Sequence, residues 1–213
     1  DAVICVSNSI KEYIQKHYKT SENKITVIPR GIDLELFNPK NIDETFIENF
    51  KKEFNLKDKF IVSSVGRVTQ LKDYETFIKA ILILKKEIPN IVGLIVGGVR
   101  SDKEDYLNSL KSLIKELDLE ENIIFTGSQS KIEQIYALSD VVISSSKKPE
   151  SFGRAVAEAI CMNKPVIATN HGGVKDIIIE NVNGFFFEVG NDKELADNIL
   201  KAITLKFDGY DYI

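Results

Sequence analysis

Tryptophan is absent from this chain of 213 residues, methionine occurs once, and cysteine and histidine occur twice each. Two cysteines standing far apart, Cys5 and Cys161, exclude the dense disulfide framework of small secreted domains and read as buried, reduced thiols. Two histidines, His17 and His171, are too few for a His-rich metal site. The sequence also has no D-x-D triplet, so no metal is expected. No apolar run approaches the ~20 residues of a membrane span, and no secretory leader is visible. There is no excess of positive charge. The 28 Lys and Arg stand against 32 Asp and Glu, for a net charge of -4, which argues against a nucleic-acid binder. Repeats and low-complexity linkers are missing too. The chain opens on Asp1 rather than Met and runs straight into an apolar segment, as expected for a piece of a longer polypeptide.

A hydrophobic fraction of 43% and a charged fraction of 28% are ordinary for a globular protein with a sizeable core. Short apolar runs at 2–6, 24–29, 60–65, 91–97, 123–126, 141–144, 165–168 and 185–187 read as strands. Helical patterns fall between them. Tyr74, Phe77, Ile78, Ile81 and Leu82 recur at helical spacing, as do Leu107, Leu110, Leu113, Ile114 and Leu117. Residues 30–39 read as a loop and 43–54 as a charged surface helix. Strands alternating with helices imply a doubly wound, Rossmann-like α/β domain, its parallel sheet covered on both faces. Ligands of such sheets sit beyond the carboxyl ends of the strands.

Three constellations lie at those ends. In "SSVGRVTQLKD", Gly66 permits a turn, and Arg67 and Lys72 could neutralise a diphosphate, one as a planar fork and one as a point charge. In "ESFGRAVAE", Glu150 and Glu158 stand eight positions apart around Phe152-Gly153-Arg154. These three residues are expected in the first turn of a helix starting near Ser151, where free N–H groups suit an anion. Eight residues of helix span about 12 Å, wider than the roughly 5–9.5 Å of glycosidase carboxyl pairs. The spacing suits a long, hydroxyl-rich ligand held at both ends, because each carboxylate accepts two hydrogen bonds. In "ATNHGGVKDII", Gly172-Gly173 follow a strand and could bring backbone against sugar or phosphate. Gly127, in "FTGSQS", could lie beside a nucleobase. Neither a Walker loop nor a G-x-G-x-x-G fingerprint is present.

Four segments in this order, "VIPRGID", "GRVTQLKD", "ESFGRAVAE" and "TNHGG", resemble the carboxyl-terminal, donor-binding half of retaining glycosyltransferases with the GT-B fold, family four (glycosyl transferases group 1). The resemblance covers nearly the whole chain. It implies Arg67 and Lys72 on the donor diphosphate, Glu150 on the transferred sugar and Glu158 on the ribose. Backbone around Phe152, Gly153 and Arg154 would face sugar hydroxyls and phosphate, with Gly66, Gly127, Gly172 and Gly173 completing the donor site. The expected donor is a UDP-sugar or GDP-sugar, with no cofactor and no metal. Arg67, Lys72 and Glu150 are the expected catalytic residues, and front-face attack is implied, the leaving diphosphate helping to remove the acceptor's proton. The acceptor would be a glycan or lipid-linked glycan in bacterial cell-envelope polysaccharide or lipopolysaccharide synthesis. The protein would be cytoplasmic, touching the inner membrane, if at all, through an N-terminal domain missing here. Residues 1–29 would be the remnant of that acceptor domain, 30–58 a linker and surface helix, 59–204 the donor domain and 205–213 a truncated tail. The strand at 2–6 would lack its parent sheet. Arg30, Asp73 and Asp176 depart from the family's more frequent Asn, Gly and Glu. A non-catalytic nucleotide-sugar-binding fragment and another GT-B enzyme, such as an epimerase or a phosphorylase, are the alternatives. The residues show neither a lysine in a pyridoxal-phosphate setting nor an acid–base carboxylate pair for the epimerase.

Overall fold

The β-branched and aromatic runs become strands because their side chains fill both faces of a pleated surface. In the computed structural model, which describes residues 2–209, the first two strands are β1 (Val3–Cys5) and β2 (Ile25–Val27). They pair in parallel, with Val3 opposite Ile25 and Cys5 opposite Val27. The strand expected at 2–6, thought to lack its parent sheet, has β2 as its partner. The crossover helix α1 (Asn8–Tyr18) returns the chain so that β2 lies beside β1. Ser7, fully buried, caps α1 by accepting from the Ile10 N–H. The Asn8 N–H donates to the Asp176 carboxylate at 2.6 Å and ties this amino-terminal unit to the main body.

The main body holds six strands: β3 (Phe60–Val65), β4 (Ile91–Val96), β5 (Ile123–Gly127), β6 (Val141–Ser144), β7 (Val166–Thr169) and β8 (Gly184–Phe187). All neighbours are parallel, in the order β5-β4-β3-β6-β7-β8. The chain winds outward from β3 in one direction, then from β6 in the other. The switch point lies between those two central strands, where Val62 faces Val141.

Side chains alternate across this sheet. Val62, Ile95, Val141 and Ile167 pack under α3 (Tyr74–Leu84), α4 (Glu104–Glu116) and α7 (Asp192–Ala202). Ile61, Val92 and Leu94 point the other way, beneath α2 (Glu44–Glu53) and α5 (Ile132–Leu138). Val142, Val166 and Ala168 meet α6 (Arg154–Cys161) on that same face. The doubly wound sheet covered on both faces is as expected. Beyond α7, Leu205 joins the core and the Gly209 N–H donates to the Asn163 side chain at 2.7 Å. The last four residues of the expected tail, 210–213, lie outside the described residues.

Candidate donor site

The carboxyl ends of β3 and β6 open beside each other, and the loops leaving them line a cavity of about 460 Å³. From β3 come Gly66, Arg67 and Lys72. From the loop after β6 and from α6 come Glu150, Arg154, Ala155 and Glu158. The sequence therefore scattered across 66–158 is gathered at one switch point, as the architecture demands.

The center of the site is an ion pair. Lys72 Nζ lies 2.5 Å from Glu150 Oε1, and each side chain is about a quarter exposed, at 25% and 24%. The Ser146 hydroxyl donates to the same Oε1 at 2.5 Å and the Ser144 hydroxyl at 3.4 Å. Burial pushes the Glu150 carboxyl upward, but the Lys72 charge and the hydrogen bonds from Lys72, Ser146 and Ser144 outweigh it. The carboxyl is held below its ordinary range. Glu150 thus engages the Lys72 ammonium that the sequence reading gave to a diphosphate as a point charge. Gly66 makes room for it, since a Cβ there would come within 2.9 Å of Lys72 Cε. Arg67 lies beside them, exposed, and makes no ion pair among the described residues.

Glu158 sits one and a bit turns into α6. Its Oε2 accepts from the Tyr136 hydroxyl at 3.0 Å, and its Oε1 lies 3.5 Å from Arg154 Nε. Burial raises its carboxyl above the usual range despite the opposing pull of Tyr136 and Arg154. Tyr136 itself, fully buried, is driven well above a normal phenol by burial and then by the Glu158 charge.

The helix expected from Ser151 begins instead at Arg154, so Phe152 and Gly153 precede it. Gly153 occupies a left-handed conformation (φ 97°) that turns the chain into α6. Glu150 consequently stands on a folded-back loop rather than on a helical extension. A separation of two carboxylates along a straight helix does not describe this pair, and both line one cavity.

The remaining predicted residues support the loop or lie apart. The Gly173 N–H donates to the Glu150 carbonyl at 2.7 Å, and a Cβ on Gly173 would approach Phe152 Cα to 2.6 Å. A Cβ on Gly172 would likewise come within 2.7 Å of the Glu150 backbone N and O. Both glycines thus let the 172–176 turn press against the loop that carries Glu150. Phe152 is buried and lines a smaller, separate cavity with Arg30 and Asp176. Gly127 accepts from the Gly97 N–H at 2.9 Å at the end of β5, outside the main cavity lining.

Sequence reasoning gave no role to Ser144, Ser146, Tyr136 or Glu133, which also lines the cavity. The serine triplet at a strand end was the available signal, since hydroxyls buried there need partners. Tyr136 and Glu133 looked like ordinary helix residues. Among the described residues, no group of three or more His, Cys, Asp or Glu is arranged to hold a metal ion. No helix among them is long and apolar enough to cross a membrane.

This fold and the position of its cavity define the carboxyl-terminal half of a GT-B glycosyltransferase. The chain belongs to the glycosyl transferases group 1 family, whose model matches residues 46–209. A second model, Glycosyltransferase Family 4, matches residues 1–36. A glycosyltransferase from Rickettsia africae superimposes with a TM-score of 0.90 at 34% identity, covering 96% of this chain and 53% of that one. Anabaena Alr3699/HepE, solved in complex with UDP and glucose, gives a TM-score of 0.85 at 27% identity, covering 99% and 57%. The capsular polysaccharide biosynthesis glycosyltransferase CapM of Staphylococcus aureus is 29% identical over 95% of this chain and 52% of its own length. The chain spans about half the length of the curated relatives it matches.

Proposed function

We propose that the cavity binds a nucleoside-diphosphate sugar and that the chain is the donor half of a retaining glycosyltransferase. The observation that carries this reading is the charge arrangement at the switch point. Arg67, which makes no ion pair among the described residues, stands beside a Lys72–Glu150 pair, with Glu158 at the same cavity. Arg67 and Lys72 would neutralise the diphosphate. The hydrogen bonds to Glu150 converge on Oε1, which leaves Oε2 to accept from hydroxyls of the transferred sugar. Glu158 would take the ribose hydroxyls. UDP bound by HepE favours a UDP-sugar, with a GDP-sugar as the other candidate.

In the transfer, the acceptor oxygen attacks the anomeric carbon on the face the diphosphate leaves. The carbon–phosphate-oxygen bond breaks, and the departing phosphate takes the acceptor's proton. Arg67, Lys72 and the start of α6 stabilise the growing negative charge, while Glu150 holds the sugar in place. No side chain forms a covalent intermediate. The acceptor wall would come from an amino-terminal domain, so this chain alone is expected to bind donor and transfer little. The capsular polysaccharide role printed for CapM supports an envelope glycan as product.

The test is a binding screen of UDP-, GDP- and ADP-sugars against the chain and its Arg67→Ala variant. At least one donor should bind. The variant should lose tenfold or more, the loss of a charge-assisted contact of about 1.5–3 kcal/mol. Failure of every donor to bind, or equal binding by the variant, overturns the reading.

A further inference from the structure

Asp73 follows Lys72 in a left-handed conformation (φ 49°, ψ 51°), which side chains other than glycine rarely adopt. Its carboxylate is also buried, with its side chain only 3% exposed. A strained, buried carboxylate persists only where its surroundings hold it. Here Oδ1 lies 3.2 Å from Lys147 Nζ, and Oδ2 accepts from the Thr76 hydroxyl at 2.8 Å. Lys147 also reaches Glu75 at 3.6 Å, and Glu75 accepts from the Tyr106 hydroxyl at 2.8 Å.

Lys147 belongs to the loop that carries Glu150, and Asp73 to the turn that carries Lys72. The backbones of the two segments are joined as well. The Lys147 N–H donates to the Leu71 carbonyl at 2.8 Å, and the Ser145 hydroxyl donates to the Lys72 carbonyl at 2.7 Å. Two ion pairs of opposite sense therefore lace the same two segments. Lys72 to Glu150 lies in the cavity wall, and Lys147 to Asp73 lies outside the cavity lining.

We infer that Asp73 and Lys147 are positioning residues, a strut that fixes the turn at 70–73 so that the Lys72 ammonium stays on Glu150 and faces an anion in the cavity. The part of this that concerns the anion rests on the donor-binding reading. The strut itself does not.

Asp73→Gly separates strut from fold, because glycine suits the left-handed turn and removes the buried charge with its partner's need. The decisive measurement is the carboxyl titration of Glu150, followed by ¹³C NMR in the 213-residue chain. Deleting the Asp73 charge would, by field alone, lower the Glu150 titration further. A loosened Lys72 raises it. The expected result is a rise toward the ordinary carboxylate range in Asp73→Gly, with Lys147→Arg keeping the wild-type curve. Glu150 titrating at or below its wild-type position in Asp73→Gly overturns the strut. UDP affinity, measured on the same proteins, should fall about fivefold in Asp73→Gly and stay unchanged in Lys147→Arg. If the wild-type chain binds none of the UDP-, GDP- and ADP-sugars, the donor-binding reading falls, and the titration still decides the strut.

Discussion

Replacing Lys72 by methionine removes the cation from a pair in which both side chains are about three-quarters buried. Breaking a fully buried pair by deleting one partner costs about 3–5 kcal/mol. Here solvent reaches part of the site, and the Ser146 and Ser144 hydroxyls still solvate Glu150. A loss of about 2 kcal/mol at pH 7 is expected, or a Tm lower by about 4–8 °C for a chain of this size. The pH dependence fixes the cause. In the wild type, the Glu150 titration is depressed in the folded state. Its stabilisation is therefore present above the unfolded carboxyl range and is lost as pH falls through the folded value. Without Lys72, burial dominates and the titration moves above the ordinary range. The penalty of the buried charge then applies at neutral pH and is relieved as acid protonates the group. Urea unfolding of both proteins between pH 7 and pH 4.5 should show the gap closing as pH falls. A gap that is absent at pH 7, or constant across this range, would refute the view that Glu150 is an ionised carboxylate held by Lys72.

Gly153→Ala meets two obstacles, the left-handed backbone and a Cβ 2.5 Å from Val174 Cγ1. A loss of about 2–3 kcal/mol follows from the strain and overpacking together, readable by urea unfolding. Tyr136→Phe removes the hydroxyl from Glu158. It should cost about 1–2 kcal/mol, more at pH 7 than in acid, because the ionised Glu158 carboxylate, already raised by burial, needs that donor most. Cys5 and Cys161 are both buried and free, and burial pushes the Cys161 thiol up to about 11. A thiol reagent at pH 8 should therefore label neither in the native chain and both after unfolding in urea.

Much of the fold was legible because period and apolar content report local packing directly. The interiors of Phe60–Val65 and the whole of Ile91–Val96 are buried on both faces, and such short, mostly apolar runs leave little else to form. The start of α6 was misplaced by three residues. The sequence "ESFGRAV" offers serine as a plausible cap, while the real N-cap is Gly153, chosen by a left-handed turn that Val174 crowds from outside. Nothing local to residues 150–154 announces that crowding. Arg67, Lys72, Glu150 and Glu158 could be singled out as polar residues at strand ends. Of the groups around them only the serine triplet left a signal, since Tyr136 reaches Glu158 from 22 positions away and Lys147 pairs with Asp73 on another segment.

Alternating apolar runs and amphipathic helices, written residue by residue, made a doubly wound parallel sheet the economical way to bury both strand faces. Glycines and charges at strand ends marked where a ligand would go. The strand order around β3 and β6 depended on how separate units pack, and so did the pairing of β1 with β2. The protonation state of Glu150 was also settled in three dimensions. Its carboxyl carries charge because folding delivers Lys72 and two serine hydroxyls to one oxygen, and a buried charge is as stable as the partners that distant chain brings to it.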